Sequence, residues 1–273
     1  MPVCMTQHRA VYYQPSGQPP AGASLLFIHG SGASQESWQE QMNDLPSGIL
    51  GVAIDLPGHG LTPGPAMDRV PELAEMVIDL LKHLDLPRPL ILVGHSLGAA
   101  IALQTAGMEG DLIDGLVLLG GGAKMRVLPA FLNGLAAGLI DLGFFRLAFA
   151  PQAAPTLVET QLQLYAKVPA QCFFRDLTAC NEFDVTDQLP LIQQPVLLLV
   201  GDQDRLTPPK NSVALREKLT QAELVIIPDA GHFAMLEKPG PVNQAIHDFI
   251  RKFINIQIQP SLKALFCIDK PEC

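Results

Sequence analysis

Short apolar runs that do not alternate with polar residues constrain the fold of this chain more than any other feature of its sequence. Five of them have the length of β-strands, and a sixth is similar. They occupy residues 25–28, 90–93, 116–119, 196–200 and 224–227, with residues 50–54 as the sixth. Strands that are apolar on both faces are typical of a parallel sheet that is covered on both sides. We therefore predict a buried, mostly parallel sheet.

Helical patterns lie between these runs. Apolar residues recur at helical spacing from Leu73 to Leu84, after Asp68 as the candidate N-cap, and again from Val242 to Phe253. Strands and helices that alternate along a chain indicate a doubly wound sheet. The predicted fold class is therefore α/β, with a doubly wound, mostly parallel sheet.

The alternation is interrupted once, in residues 124–187, where helical patterns and prolines occur without a strand-like run. We interpret this segment as an inserted helical cap, with residues 1–123 and 188–255 as the core of the fold. The phenylalanines of the cap are expected to pack mainly onto that core. The last residues, 256–273, have no clear period and are treated as a C-terminal tail of unknown role.

Residues 127–150 are the stretch that most resembles a membrane span. Asn133, Asp141 and Arg146 interrupt its apolar residues, which favours a pair of buried or cap helices over a span. Residues 1–10 are polar, so we expect no secretory signal peptide. The protein is therefore expected to have no stable insertion in a membrane.

Composition narrows the class of function. Hydrophobic residues make up 48% of the chain and charged residues 16%, which indicates a globular protein with a large core. The 18 basic and 27 acidic side chains give a formal net charge of -9 without a basic cluster, so nucleic acid is not expected as a partner. The 5 cysteines include no Cys-x-x-Cys pair, which favours free thiols in a reducing compartment. The predicted localisation is cytoplasmic.

Ser96 is the first candidate for catalysis. It follows the apolar run 90–93, stands between Gly94 and Gly98, and precedes helix-favouring residues. A serine on such a strand–turn–helix arrangement is held in a strained conformation that exposes its Oγ, and the flanking glycines let strand and helix pass closely. The helix that follows also directs its positive end at the site.

A serine hydroxyl needs a histidine to accept its proton and a carboxylate to orient that histidine. Asp202 and Asp204 follow the run 196–200, and His232 follows the run 224–227. Ligand sites of open parallel sheets form just beyond the carboxyl ends of strands, and the order Ser, Asp, His fits this architecture. The sequence thus predicts a site that contains all three residue types at one edge of the sheet.

Five segments together resemble the α/β-hydrolase fold superfamily, in its cap-bearing serine hydrolase (esterase-like) form, over about residues 24–253. They are His29-Gly30-Ser31-Gly32, Asp55-Leu56-Pro57-Gly58-His59-Gly60, Gly94-His95-Ser96-Leu97-Gly98, Gly201-Asp202-Gln203-Asp204 and Gly231-His232. The resemblance implies an α/β-hydrolase fold, with the core at residues 1–123 and 188–255 and the helical cap at residues 124–187.

The resemblance also implies the role of each site residue. Ser96 would be the nucleophile at a nucleophile elbow, Asp204 the acid and His232 the base of a catalytic triad. The backbone N–H groups of Ser31 and Leu97 would form the oxyanion hole. A small-molecule substrate is the expected partner, and the oligomeric state is not predicted.

The remaining polar residues of these segments have structural interpretations. Spacing after the strand glycine favours Asp204 as the acid, so Asp202 is expected to be a loop or cap residue. His29, His59 and His95 are expected to be hydrogen-bonding structural residues rather than a second base. Neither metal-ligand spacing of histidines and cysteines nor a phosphate-binding glycine loop occurs, so no metal and no cofactor are expected.

The implied activity is hydrolysis of a carboxylic ester or related acyl bond in a small, mainly apolar substrate, through an acyl-enzyme. A serine at position 96 argues against related enzymes whose covalent ester intermediate needs an aspartate there. Three alternatives remain open: a hydrolase of carbon–carbon bonds in diketone acids, a lyase that uses the same triad, and a non-catalytic ligand receptor. An acidic substrate would favour cations of the cap, for which the candidates are Lys124, Arg126, Arg146, Lys167 and Arg175.

Overall fold

A computed structural model of the protein describes residues 2–6, 10–17 and 22–265, with side chains up to residue 252. Within these residues, eight strands form one sheet. They are β1 (Val3–Met5), β2 (Ala10–Ser16), β3 (Ala23–Ile28), β4 (Ile49–Ile54), β5 (Leu90–His95), β6 (Gly115–Leu119), β7 (Val196–Gly201) and β8 (Ala222–Ile227). Their order across the sheet is β1-β2-β4-β3-β5-β6-β7-β8.

The strands predicted from apolar runs, β3 to β8, pair in parallel. β1 and β2 add to one edge in antiparallel pairing and were not predicted. β1 has only 3 residues, and β2 includes the exposed Gln14 and Pro15, so neither forms an apolar run. Proline cannot donate to a ladder and is confined mainly to edge strands. The prediction of a mostly parallel sheet is confirmed.

Helices cover both faces of this sheet. The α-helices are α1 (Gln39–Asn43), α2 (Val70–His83), α3 (Leu97–Glu109), α4 (Pro129–Ala136), α5 (Leu142–Arg146), α6 (Pro155–Tyr165), α7 (Ala170–Glu182), α8 (Pro209–Lys218), α9 (Ala234–Glu237) and α10 (Pro239–Leu265). Short 3₁₀ helices cover Gln35–Trp38, Gly110–Leu112 and Thr186–Leu191. Val77 of α2 lies in one buried apolar cluster, and Ile246 of α10 lies in the other. Two covered faces define a doubly wound α/β fold, as predicted.

The start of α2 differs from the sequence prediction. The helix begins at Val70, and the preceding Arg69 makes no side-chain cap hydrogen bond. Pro71 lies in the first turn, where its fixed φ and missing N–H suit a helix start. The Asp68 carboxylate instead accepts a 3.3 Å hydrogen bond from Nη1 of Arg175 on α7. The prediction of Asp68 as N-cap is therefore wrong, because proline sets the helix start and the carboxylate pairs elsewhere.

The interruption of the strand pattern corresponds to α4, α5, α6 and α7, which lie between β6 and β7. The two ends of this insert meet, since Lys124 and Asp184 form an isolated antiparallel bridge. Residues 127–150 form α4 and α5 with a turn between them rather than one long helix. Across the described part of the chain, none of the helices has both the length and the apolar character that a membrane span requires.

The last helix is longer than the sequence indicates. α10 runs from Pro239 to Leu265 and thus includes residues 256–265 of the predicted tail. The helix continues through Pro260, so the absence of an apolar period did not indicate its end. Residues 266–273 lie outside the described residues.

The cysteines that the structure describes are free. Cys4, Cys172 and Cys180 are buried thiols, in agreement with the prediction from the cysteine count. Cys267 and Cys273 lie outside the described residues.

Candidate active site

The predicted site residues lie at the carboxyl ends of the parallel strands, in the loops there or, for Leu97, at the start of the helix that follows. Ile28 at the end of β3 pairs with Gly94 of β5, so the loop after β3 begins beside the turn that contains Ser96. Gly201 at the end of β7 pairs with Ile227 of β8, so the loops that follow these two strands are also neighbours. This edge is where open α/β sheets bind their ligands.

Ser96 occupies the turn between β5 and α3 with φ 53° and ψ -113°. A positive φ is strained for a residue with a side chain. A Cβ at Gly94 would lie 2.3 Å from the carbonyl oxygen of Gly98, and a Cβ at Gly98 would lie 2.1 Å from the carbonyl oxygen of Ile28. Strand, turn and helix therefore pass each other more closely than side chains allow, as the motif predicts.

His232 and Asp204 meet across the ends of β7 and β8. Nδ1 of His232 lies 2.8 Å from Oδ2 of Asp204, and both side chains are buried. The other carboxylate oxygen, Oδ1, accepts the backbone N–H of Thr207 at 2.8 Å. Asp202 instead accepts the N–H of Ala230 at 3.3 Å. Because Nδ1 of His232 faces a carboxylate, Nε2 is the nitrogen left for a reacting group.

The surroundings of Asp204 favour its ionised form. Burial alone would raise its pKa, but the adjacent His232 and the hydrogen bonds from His232 and Thr207 outweigh burial and lower the pKa. Oγ1 of Thr207 lies 2.8 Å from Oδ2 of Asp204 and 3.1 Å from Nδ1 of His232. It also lies 2.8 Å from the carbonyl oxygen of Gly120. Sequence reasoning missed Thr207, because its position just after Asp204 was the only signal.

Two other buried histidines make structural hydrogen bonds, as the sequence interpretation expects. Nε2 of His95 donates to the carbonyl oxygen of His232 at 2.9 Å. Burial and the neighbouring His232 lower the pKa of His95 to about 3, so its ring is neutral. Nδ1 of His29 donates to the carbonyl oxygen of Gly30 at 2.7 Å, and its Nε2 accepts the N–H of Leu56 at 3.0 Å.

The two predicted oxyanion donors lie in the segments that flank Ser96. A Cβ at Gly30 would lie 3.2 Å from the Cβ of Ser96, so the loop that contains Ser31 runs directly against the turn. Leu97 is the first residue of α3, and the first N–H groups of a helix have no partner within the helix. Both positions are therefore close to the predicted nucleophile in the chain or in space.

A cavity of about 620 Å³ opens at this edge of the sheet, and Ser96 and His232 both line it. Side-chain hydrogen bonds join His232 to Asp204 and Thr207 but, within the described residues, not to Ser96. Catalytic hydrogen bonds are often long before substrate binds. The apolar lining consists of Met125, Val127, Leu128, Phe144, Leu147, Leu177, Cys180, Leu206 and Pro208. The cationic lining consists of Lys124, Arg126, Arg205 and Lys210.

Comparison with known proteins fixes the family. The profile of the alpha/beta hydrolase family matches residues 25–245, which include every segment of the candidate site. The chain belongs to the alpha/beta hydrolase family. The resemblance inferred from the motifs is thereby confirmed.

Relatives of this hydrolase include esterases. A pimeloyl-[acyl-carrier protein] methyl ester esterase of Neisseria meningitidis serogroup B / serotype 15 (strain H44/76) is 28% identical over 251 residues, which cover 85% of this chain and 94% of that protein. A thermophilic esterase from Thermogutta terrifontis, solved with malate bound, has a TM-score of 0.81 at 25% identity and covers 92% of this chain and 98% of that one. Together with the family match, these relatives identify a hydrolase enzyme.

One relative of the hydrolase is longer than this chain. The dihydrolipoyllysine-residue acetyltransferase component of the acetoin cleaving system of Pseudomonas putida is 28% identical over 250 residues. That match covers 85% of this chain and 64% of the relative, so the chain corresponds to part of that protein.

Two further residues of the hydrolase site carry no motif signal. Gly120, after β6, has φ 56°, and a Cβ there would lie 3.1 Å from Nδ1 of His232. Glu237 accepts the N–H of Gly231 at 3.0 Å and the N–H of Ala150 at 2.9 Å. Its carboxylate thus ties the loop of His232 to the segment between α5 and α6. Burial raises the pKa of Glu237 despite these hydrogen bonds.

A second buried cluster of the hydrolase lies where α7 meets the loop after β4. Nε2 of His59 lies 3.0 Å from Oδ2 of Asp176 and 3.2 Å from Sγ of Cys172. Among the described residues, these three side chains form the group whose ligand atoms lie close enough to hold a metal ion. The absence of metal-ligand spacing in the sequence concerns residues close together along the chain, so it did not indicate this cluster. His59 is 113 residues from Cys172 along the chain, so sequence spacing could not reveal the contact.

Proposed function

We propose that this hydrolase cleaves a carboxylic ester or related acyl bond through a triad of Ser96, His232 and Asp204. The observation that carries the proposal is the strained turn at Ser96, on a cavity that this serine shares with His232. Strained residues persist where the surrounding structure holds them, and they concentrate at active sites. The 2.8 Å contact between His232 and Asp204 supports the assignment of base and acid.

In the proposed reaction, Nε2 of His232 takes the proton of Ser96 Oγ, which attacks the ester carbonyl carbon. The resulting oxyanion accepts hydrogen bonds from the N–H groups of Ser31 and Leu97. His232 then protonates the leaving alcohol, and an acyl-enzyme forms. A water that His232 deprotonates attacks the acyl-enzyme, and this step releases the acid and restores Ser96. Asp204 keeps the imidazole in the required tautomer and stabilises the imidazolium.

The cavity supports an apolar portion in the substrate. Most of its lining is apolar, and ligand pockets bind apolar groups chiefly through such surface. Phe144, Leu147 and Leu177 of this lining belong to the inserted helices. We therefore assign residues 124–187 to a cap that binds the substrate over a core formed by residues 1–123 and 188–255. The methyl ester esterase among the relatives supports an ester as the bond cleaved.

Intact-mass measurement after incubation with a small fluorophosphonate tests the nucleophile without a choice of substrate. We expect one phosphonyl adduct per chain on the parent protein and none on Ser96→Ala. A series of p-nitrophenyl esters of increasing acyl length then tests turnover, which Ser96→Ala and His232→Gln should abolish. An adduct that persists in Ser96→Ala contradicts the choice of nucleophile. A parent protein with neither adduct nor ester turnover contradicts the proposed function.

A second candidate is hydrolysis of a carbon–carbon bond in a diketone acid. The observation in its favour is the cationic lining of the cavity, to which Lys124, Arg126, Arg205 and Lys210 contribute. Among the described residues, carboxylates are absent from that lining. Product analysis decides between the candidates: faster cleavage of a carboxylate-bearing ester supports the esterase, and faster cleavage of a diketone acid supports the alternative.

A further inference from the structure

One oxygen atom of Asp176 gathers three donors from two loops of the core. Asp176 is buried on α7 of the cap. Its Oδ2 accepts the hydroxyl of Ser31 at 2.8 Å and the backbone N–H of Gly32 at 3.1 Å. Nε2 of His59, from the loop after β4, lies 3.0 Å from the same oxygen. A side chain of the cap therefore makes hydrogen bonds with the loop that contains Ser31, a predicted oxyanion donor.

The hydrogen-bond pattern of His59 identifies its charge state. Its Nδ1 lies 3.1 Å from the carbonyl oxygen of Pro57, and a carbonyl only accepts, so Nδ1 carries a proton. Nε2 donates to the Asp176 carboxylate, so it carries a proton as well. Burial alone would lower the pKa of His59, but the Asp176 carboxylate raises it to about 11. His59 and Asp176 therefore form a buried imidazolium–carboxylate pair.

The same helix, α7, also packs closely against the loop through Phe173. Gly32 has φ 66°, and a Cβ at that position would lie 2.0 Å from Cε1 of Phe173, the third residue before Asp176. On its other side, the loop packs Gly30 against Ser96, where an added Cβ would lie 3.2 Å from the serine Cβ. The chain from Gly30 to Gly32 thus links α7 to the turn of the nucleophile.

We propose that Asp176 is a positioning residue that holds the Ser31–Gly32 segment in place and so makes the oxyanion hole depend on the seating of the cap. This inference rests on the proposed function, which assigns the Ser31 N–H to the oxyanion. While α7 is seated, the carboxylate fixes the Ser31 hydroxyl and the Gly32 N–H, so the Ser31 N–H has one orientation. When α7 lifts, these two hydrogen bonds break and His59 keeps an uncompensated charge. A seated cap is then a condition for fast turnover.

A metal is the competing interpretation of this cluster. Cysteine, histidine and aspartate are all ligand types for zinc. Oδ2 of Asp176 is, however, already surrounded by three donors, and Nε2 of His59 bears a proton that a metal would have to displace. Elemental analysis of the purified protein should therefore find no stoichiometric transition metal. One zinc per chain, lost together with activity in Cys172→Ala, would overturn the ion-pair interpretation.

Steady-state kinetics on Asp176→Ala test the positioning role. Loss of one oxyanion donor costs about 10²- to 10³-fold in kcat, and a misplaced donor costs up to that much. We therefore expect kcat for a p-nitrophenyl ester to fall by about 10- to 10³-fold, while KM changes by less than about threefold. Affinity for a boronic acid, whose adduct with the serine places an oxygen in the oxyanion hole, should fall by a similar factor. Ser31→Ala keeps the backbone N–H but loses the bond to Asp176, so a smaller loss of kcat is expected.

Two matched variants separate positioning from general loss of packing. Cys172→Ala alters the same helix and a contact of His59 without touching Ser31, and Asp68→Asn removes another cap-to-core pair, with Arg175. Both should keep kcat within about threefold of the parent, since each leaves the Asp176 hydrogen bonds in place. Equal losses of kcat in Asp176→Ala and Cys172→Ala would overturn the proposal. If Asp176→Ala fails to fold, kcat of Ser31→Ala is compared with kcat of Asp68→Asn. Equal kcat values in these two variants would overturn the proposal.

Hydrogen–deuterium exchange tests the inference independently of the reaction. The peptide that contains residues 29–33 should exchange faster in Asp176→Ala than in the parent, and at the parent rate in Asp68→Asn. If residues 29–33 exchange at the parent rate in both variants, the proposal is overturned even if the enzyme hydrolyses esters. Faster exchange without any ester turnover by the parent would instead contradict the proposed function and leave the link between cap and loop intact.

Discussion

Oδ2 of Asp204 lies 2.8 Å from Nδ1 of His232. The hydroxyl of Thr207 lies within 3.1 Å of both atoms. Two residues before Asp204, Asp202 holds a backbone N–H of Ala230 at 3.3 Å. The two aspartates of this loop thus have different roles. Asp204 orients the imidazole of His232, whereas Asp202 supports the loop that contains that histidine. This difference leads to unequal expectations for the two carboxylates.

We expect Asp204→Asn to lower kcat/KM for an ester by about 10⁴-fold, because an amide N–H opposite Nδ1 of His232 favours the wrong tautomer. Asp202→Asn keeps an oxygen that can accept the Ala230 N–H and loses only the charge, so at most one weak hydrogen bond of about 0.5–1.5 kcal/mol is affected and the loss should be less than about tenfold. Steady-state kinetics of both variants with one soluble ester provide the measurement, with circular dichroism as the control for folding. A larger loss in Asp202→Asn would mean that the acid is misassigned.

Thr207→Val should reduce both stability and turnover. The substitution keeps the shape of the side chain but removes the hydroxyl that lies against Asp204, His232 and the Gly120 carbonyl. Buried polar groups that lose a partner cost about 1–3 kcal/mol, so urea denaturation should show a loss of that size in the free energy of unfolding. The fall in kcat should exceed the change in KM, because the lost contact orients the base rather than the substrate.

Thr105→Val is the matched control for this prediction. Thr105 is buried in α3, and its hydroxyl donates to the carbonyl oxygen of Ile101 at 2.8 Å, away from the base. We expect its kcat to equal that of the parent. An unchanged kcat in Thr207→Val, or the same loss in both variants, would contradict the orienting role of Thr207.

Strands and turns could be predicted from the sequence, because each depends on residues that are close together in the chain. The apolar runs predicted β3 to β8, and two glycines around Ser96 predicted a turn that the observed φ of 53° bears out. Contacts between distant segments were not accessible in this way. The pairing of His59 with Asp176 spans 117 residues, and only the seating of α7 on the core creates it. Motif spacing locates the ends of strands, whereas the helices between β6 and β7 have no comparable pattern.

The stability of the protein should decrease between neutral and alkaline pH because of His59. Its pKa is raised to about 11 by the Asp176 carboxylate, whereas an unfolded histidine titrates near about 6.5. Between these two pKa values the folded state therefore binds more protons than the unfolded state. The stabilisation from His59 is complete below the unfolded pKa and is lost as pH rises toward the folded pKa. One linked proton contributes a slope of at most about 1.4 kcal/mol per pH unit.

Urea denaturation of the parent and His59→Gln at pH 7, 8, 9 and 10 measures this effect. The free energy of unfolding should fall more steeply with pH in the parent than in the variant, which lacks the titrating ring. Other titrating groups are common to both proteins, so the difference between the two slopes belongs to His59 and its contacts. Parallel curves would show that His59 is not held as a cation in the folded protein.

Recognition of an anionic group is expected to depend on Arg126 and Lys210. Both line the cavity, and Nη1 of Arg126 donates to the backbone carbonyls of Met125 and Asn181. An exposed charge at contact distance contributes about 1 kcal/mol, so each change to glutamine should raise KM about fivefold for an ester with a terminal carboxylate. KM for a neutral ester of the same length should stay constant, and added salt should shrink the parent's preference for the charged ester.

The control for this charge effect is Lys82→Gln. Lys82 lies on α2, where its Nζ pairs with Glu109 at 3.2 Å, and it does not line the cavity. This variant should keep the preference of the parent, because its charge is exposed and paired elsewhere. If the Arg126→Gln/Lys210→Gln double variant also keeps that preference, these cations do not select the substrate. The apolar lining would then be the feature that determines specificity, and KM should instead follow the length of the acyl chain.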